Sequence, residues 1–290
     1  MQELVRLKAI DGIELVGILY HPVEDKKKIV VHVHGLNGNF YENHFVDILA
    51  KTYNKLGYGF LIFNNRGKDF ISELFKDEES VVIGGSLENF QDSLRDVGGV
   101  LQWVKDREYQ EIVLEGHSYG CNKVLYYYSK YHDDLIKKMV LLAPCDIPSL
   151  IKHRLSKEEY LIVKEKASQL ICDGKENDLV PTSLMANGYV RAGTFYYDFL
   201  PNGENDFIRY RERNSKSEVL NKINIPVYVV FGDQDECVLT KSIDVVKKYL
   251  EDNISNCSLY VIDGADHCFL PQFEKLEKGI YYLFEKVDRK

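Results

Sequence analysis

Val113-Leu114-Glu115-Gly116-His117-Ser118-Tyr119-Gly120-Cys121 reads as a strand that passes through Gly-x-Ser-x-Gly straight into a helix. Ile112, Val113 and Leu114 form a short apolar run, and residues 122–130 carry a helical pattern. The arrangement has a chemical logic. A serine hydroxyl is a weak nucleophile unless it is held exposed, beside a base, with N–H groups ready for an oxyanion. A sharp strand-to-helix turn does this: small residues at Gly116 and Gly120 let the backbone close, and the start of the helix leaves N–H groups free.

Outward from this turn the chain alternates strand and helix. Residues 4–10 and 13–20 alternate apolar and polar around Asp11-Gly12, a hairpin signal. Residues 29–33, 60–63, 138–143, 226–231 and 258–262 are nearly continuous apolar runs, as strands buried on both faces require. Between them, 42–55, 86–105, 239–250 and 274–287 show helical periodicity, with Ser86 and Asn89 as the expected cap region of the second. Residues 68–85, rich in Asp and Glu, read as a solvated polar loop. Such alternation predicts an α/β fold with a mostly parallel sheet, whose ligands bind at the carboxyl ends of the strands.

Three loops at those ends carry a resemblance. Gly116-His117-Ser118-Tyr119-Gly120, with His34-Gly35 upstream and Gly264-Ala265-Asp266-His267 near the end, is similar to the α/β-hydrolase superfamily of serine hydrolases over most of the chain. The resemblance implies Ser118 as nucleophile and His267, in a Gly-x-x-His loop after the last strand, as base. It implies an acid in Gly232-Asp233-Gln234-Asp235-Glu236-Cys237-Val238, where the family pattern points to Asp235 and Asp233 is the competitor. The order Ser118, Asp235, His267 is that of this superfamily. The residue after His34-Gly35 and the residue after the nucleophile would donate oxyanion N–H groups, here Leu36 and Tyr119. His34 reads as structural. His117 is the other histidine to weigh, although a side chain beside the elbow points elsewhere. Arg66, in Asn64-Asn65-Arg66-Gly67, is given no catalytic role, and Cys121 should face the packing side of its helix.

Residues 146–220 break the alternation. Ser156-Lys157-Glu158-Glu159 resembles a capping box opening a helix to about residue 172, and Tyr189, Phe195, Tyr196, Tyr197 and Phe199 crowd the later part. This stretch is expected to be a cap inserted after the sixth strand, with 1–145 and 221–290 forming the catalytic domain. Its aromatics would line a pocket or pack the cap onto that domain.

The loop sequence and the cap look most like small-ester carboxylesterases of the cinnamoyl/feruloyl type. The implied activity is hydrolysis of a small carboxylic ester through an acyl-Ser118 intermediate. Thioesterases, acyltransferases and capped serine aminopeptidases use the same parts. A non-catalytic binding member of the fold usually lacks one of them.

Composition sets outer bounds. The chain of 290 residues has 37 basic and 45 acidic side chains and a net charge of −8, which argues against a nucleic-acid partner. Six cysteines are scattered without C-x-x-C spacing, as reduced thiols would be, and the N-terminus lacks the apolar run of a secretory signal. No run approaches the ~20 apolar residues needed to span a bilayer. The expected location is cytoplasmic. No His-x-x-x-His or Cys/His cluster is spaced as metal ligands, so neither metal nor cofactor is expected.

Overall fold

The computed structural model describes residues 1–22, 24, 27–212, 214–240 and 242–287. An eight-stranded sheet forms its centre. Strands β1 (Gln2–Lys8), β2 (Glu14–Tyr20), β3 (Lys28–Val33) and β4 (Gly59–Phe63) come first in the chain. A small hairpin follows, β5 (Ser72–Lys76) and β6 (Glu79–Ile83). The main sheet then takes β7 (Glu111–His117) and β8 (Ile136–Leu142). A second small hairpin, β9 (Leu179–Pro181) and β10 (Tyr189–Arg191), precedes the last sheet strands, β11 (Val227–Gly232) and β12 (Cys257–Ile262). The spatial order is β1-β2-β4-β3-β7-β8-β11-β12. Within this sheet only the β1–β2 and β2–β4 pairings are antiparallel; β4, β3, β7, β8, β11 and β12 run parallel.

The expected apolar runs are the buried strands. Every residue of β4 and of β11 is buried, as is all of β7 after Glu111. Helices α1 (Phe45–Lys55), α2 (Ser93–Asp106), α3 (Tyr119–Tyr131), α6 (Ile243–Asn253) and α7 (Phe273–Tyr282) flank the sheet. Trp103 on α2 is partly buried against the core, with the Arg107 guanidinium 4.0 Å from its ring centre. No helix among the described residues is long and apolar enough to cross a membrane.

The structure departs from the expected elements in several places; the helix expected over 239–250, for one, is Ile243–Asn253. The acidic stretch 68–85 contains the β5–β6 hairpin, closed by Asp77 and Glu78 at φ 49° and 71°. Two left-handed residues are what a two-residue hairpin turn demands, but without Gly or Asn the sequence hides it. Helix α2 starts at Ser93, not 86, after a 3₁₀ turn at Phe90–Asp92. Ser86 bonds the Asn187 side chain instead of capping, and Phe90 N–H is held by Asp198. The last helix ends at Tyr282 and continues as a π-helical turn, Leu283–Val287.

Between β8 and β11 lie α4 (Ile147–Arg154), α5 (Lys157–Cys172), the β9–β10 hairpin and a π-helical turn, Thr194–Phe199. Asp146 caps α4 and Ser156 caps α5. The capping box is only half closed: Glu159 turns to Ser183 N–H (2.6 Å) and the Thr182 hydroxyl (3.2 Å), tying α5 to the following loop.

Candidate active site

Strand β7 delivers Ser118 at φ 55°, ψ −124°, and α3 begins at the next residue. Such a conformation is costly for a side chain with a Cβ and persists only where the surroundings enforce it. Here they do. A Cβ on Gly120 would come within 2.1 Å of Val33 O, and one on Gly116 within 2.5 Å of the Gly120 carbonyl, so the elbow closes only with glycine at both positions. Ser118 N–H is pinned to Leu142 O at 2.8 Å. Tyr119 is the first residue of α3, where N–H groups lack intrahelical acceptors. The loop after β3 runs against the serine: a Cβ on Gly35 would be 3.0 Å from Ser118 Cβ.

A cavity of about 170 Å³ opens over this turn. Ser118, Tyr119, Leu36 and His267 all border it, so four of the five expected site residues share one wall system. Its apolar side comes from Ile147, Leu150 and Ile151 of α4, with Arg154 beside them. Phe195 and Phe199 do not border it. They are fully buried, and Phe199 meets Tyr119 edge-on while Phe195 meets Tyr160, so these two aromatics pack the insertion. Hollows of about 560, 650 and 300 Å³ lie against β1–α2, within the insertion and beside His21 and Arg107, and none is bordered by these site residues.

The fifth residue stands behind His267. Its carboxylate, Asp235 Oδ1, lies 2.9 Å from His267 Nδ1 and also accepts Cys237 N–H at 2.8 Å. Asp233 is engaged elsewhere, accepting Gly264 N–H at 2.6 Å, which staples the β11 loop to the β12 loop. Of the two carboxylates, Asp235 is the one that contacts His267. His117 Nε2 donates to the His267 carbonyl (3.0 Å) and its burial holds the ring neutral. It anchors the loop that carries His267. His34 Nε2 accepts Asn65 N–H (3.1 Å) while Nδ1 donates to Gly35 O (2.8 Å), fixing the loop that carries Leu36. Cys121 packs inward, its thiol against Gly116 O and Leu142 O.

Sequence reasoning missed two cysteines and an arginine. Ser118 Oγ lies 3.8 Å from Cys145 Sγ and forms no hydrogen bond with His267. Catalytic hydrogen bonds are commonly long before substrate arrives. Arg154 Nη2 lies 3.7 Å from Cys237 Sγ. Burial opposes charge on His267, but hydrogen bonding to Asp235 and then to Cys237 outweighs it and raises the ring to about 10. Cys237 is drawn down to about 5, first by the hydrogen bond from Cys145, against burial, and then by His267. The two shifts together favour the proton on the imidazole, with Cys237 as the thiolate. The ring becomes neutral, with a lone pair on Nε2, only when that proton passes to the sulfur. Nothing in the sequence pattern signals this cluster, because its members come from three separate loops.

Residues 28–273 match the model of the alpha/beta hydrolase fold family. The chain belongs to that family. Among solved structures, the ferulic-acid-bound Est1E of Butyrivibrio proteoclasticus is 19% identical, with a TM-score of 0.66 over 98% of this chain and 99% of that one. The Pyrococcus furiosus esterase Pf2001 is 17% identical, with a TM-score of 0.63 over 100% of this chain and 90% of that one. The esterase domain of a Rhodothermus marinus protein is 13% identical, with a TM-score of 0.59 over 100% and 97%. At these identities the likeness establishes the fold. No curated protein matches the sequence.

Proposed function

We propose that this α/β-hydrolase-fold protein is a serine hydrolase that cleaves small carboxylic esters. The reading rests above all on one observation: a strained Ser118 and the Asp235-bound His267 border the same apolar-walled cavity. Once its proton has passed to Cys237, neutral His267 takes the Ser118 proton as the hydroxyl attacks the ester carbonyl. The N–H groups of Leu36 and Tyr119 receive the oxyanion. Asp235 holds the imidazole in the tautomer with Nδ1–H and stabilises the imidazolium without being protonated itself. His267 then protonates the departing alcohol, and water releases the acyl group by the same steps in reverse.

Residues 146–220 act as a cap in this scheme. Helix α4 gives the acyl or alcohol group an apolar wall, and a cavity of about 170 Å³ suits small groups. The esterases among the structural neighbours agree with an ester substrate. Thioester cleavage or acyl transfer would use the same residues.

The test is intact-mass labelling with a fluorophosphonate on wild type and on Ser118→Ala. One adduct on wild type and none on a folded Ser118→Ala variant is expected. An unlabelled, well-folded wild type, or a labelled Ser118→Ala, would overturn the proposal.

A further inference from the structure

Two thiols and an imidazole meet where the chain leaves β8, β11 and β12. Cys145 Sγ, Cys237 Sγ and a ring nitrogen of His267 lie within 4.8 Å of one another, and all three residues are buried. We propose that Cys145, Cys237 and His267 form a binding site for a thiophilic divalent cation of the Zn²⁺ class, which withdraws His267 from Ser118 when it binds. The inhibitory half of this proposal rests on the hydrolase reading above; the binding half does not.

The donor set selects the metal. Two thiolates and one imidazole suit Zn²⁺ and Cd²⁺, and offer nothing to Mg²⁺ or Ca²⁺, which require oxygen ligands. The spacing is close to what a tetrahedral ion needs. Zn–S of about 2.3 Å and Zn–N of about 2.0 Å place sulfurs about 3.8 Å apart and sulfur about 3.5 Å from nitrogen. From separations of at most 4.8 Å, the trio must draw in by about 1 Å.

The supporting groups are already in place. His267 Nδ1 is bound to Asp235 Oδ1 at 2.9 Å, which leaves Nε2 as the nitrogen that can ligate an ion in exchange for its proton. A carboxylate behind a ligating histidine fixes its ring and raises its basicity toward metal. The same oxygen accepts Cys237 N–H at 2.8 Å, so one carboxylate orients two of the three ligands. Two thiolates and a divalent cation sum to zero charge, so the bound ion adds no repulsion toward Arg154, 3.7 Å from Cys237 Sγ.

Three protein ligands leave a fourth position. Ser118 Oγ lies 3.8 Å from Cys145 Sγ, beside the trio. A three-ligand site with one open position is an open site in the coordination sense. Here the ion would take the Nε2 lone pair that the serine needs. It acts as a reversible block, removed by a chelator.

The experiment titrates reduced protein carrying Cys172→Ser, which removes the exposed thiol, with Cd²⁺. The readout is thiolate-to-metal charge-transfer absorption, followed by displacement with Zn²⁺. One ion per chain is expected. Cys145→Ser and Cys237→Ser, and the smaller Cys145→Ala as a packing control, should each weaken binding by more than the roughly tenfold typical of losing a supporting residue. Cys268→Ser, beside the same cavity, should leave it unchanged. Binding that survives in a folded Cys145→Ser/Cys237→Ser double variant, or no charge-transfer band in wild type, overturns the site. In parallel, saturating Zn²⁺ should block fluorophosphonate labelling of Ser118 and a chelator should restore it. Labelling without metal binding removes the site and keeps the hydrolase; metal binding with no labelling of the metal-free protein does the reverse.

Discussion

Acid should weaken this protein through His34, which holds the loop that carries Leu36. The ring is fully buried and both nitrogens are committed: Nδ1–H to Gly35 O, Nε2 to the incoming Asn65 N–H. A second proton on Nε2 would point at another donor. Burial first, then the nearby Lys123 cation, push the ring from 6.5 down to about 3. The unfolded chain therefore binds a proton below pH 6.5 that the folded protein refuses. Stability rises with pH wherever the unfolded state holds more protons, so this contribution is complete above about pH 7 and is lost as pH falls from 6.5 toward 3. At pH 5 the loss is about 1.4 kcal/mol per pH unit over 1.5 units, or about 2 kcal/mol. For a chain of this size that is about 4 °C in Tm. Other groups titrate in the same range, so the clean quantity is a difference. His34→Gln is expected to be less stable than wild type at pH 7, yet to lose about 2 kcal/mol less than wild type between pH 7 and pH 5, by urea unfolding at each pH. Parallel losses in the two proteins would refute the argument.

Gly120→Ala should prevent the elbow from closing, since the new Cβ would meet Val33 O at 2.1 Å; a loss of about 3 kcal/mol or more by urea unfolding, together with loss of fluorophosphonate labelling, is expected. Lys123→Met should strand Glu88 as a buried carboxylate without its cation and cost about 3 kcal/mol, and adding Glu88→Gln should recover part of that in the same assay. Asp235→Asn should leave stability nearly unchanged but slow labelling of Ser118 by about four orders of magnitude, because the imidazole would be held in the wrong tautomer.

The parts of the fold that were legible in the sequence are those a short segment encodes by itself. The β7–Ser118–α3 turn is legible because glycine at 116 and 120 answers a local steric demand. The buried strands are legible because both faces are covered, so the run has no polar break. His267 could be found because it follows the last strand in a loop of family-like spacing, and Asp235 was narrowed to two candidates for the same reason. What stayed hidden depends on distant partners. Glu88 and Asp198 draw residues 88–92 away from the helix that their periodicity suggested, since each bonds a group far along the chain. Cys145 and Cys237 are 92 positions apart and meet only because β8 and β11 are neighbours. The acidic hairpin was hidden for another reason: its turn uses residues that rarely adopt the required angles.

Buried charge beneath the elbow gives the site its frame. Lys123, on α3 five residues after Ser118, is fully buried and reaches Glu88 and the Asn65 side chain. Asn65 in turn gives its N–H to His34, whose other nitrogen holds Gly35. A chain of polar bonds thus links the segment before α2, the elbow helix, the β4 loop and the loop that carries Leu36. Arg66 extends it, with Asp96 at 2.7 Å and Asp11 at 2.9 Å, to α2 and the β1–β2 turn. Apolar packing alone tolerates small slides between such elements, whereas hydrogen bonds among desolvated groups do not, because each broken bond leaves an unsatisfied partner. The Leu36 N–H and the Ser118 hydroxyl are consequently set relative to each other by side chains that touch neither. This accounts for the presence of a buried lysine and arginine that take no part in the proposed chemistry, and for an acid sensitivity that begins at His34 rather than at His267.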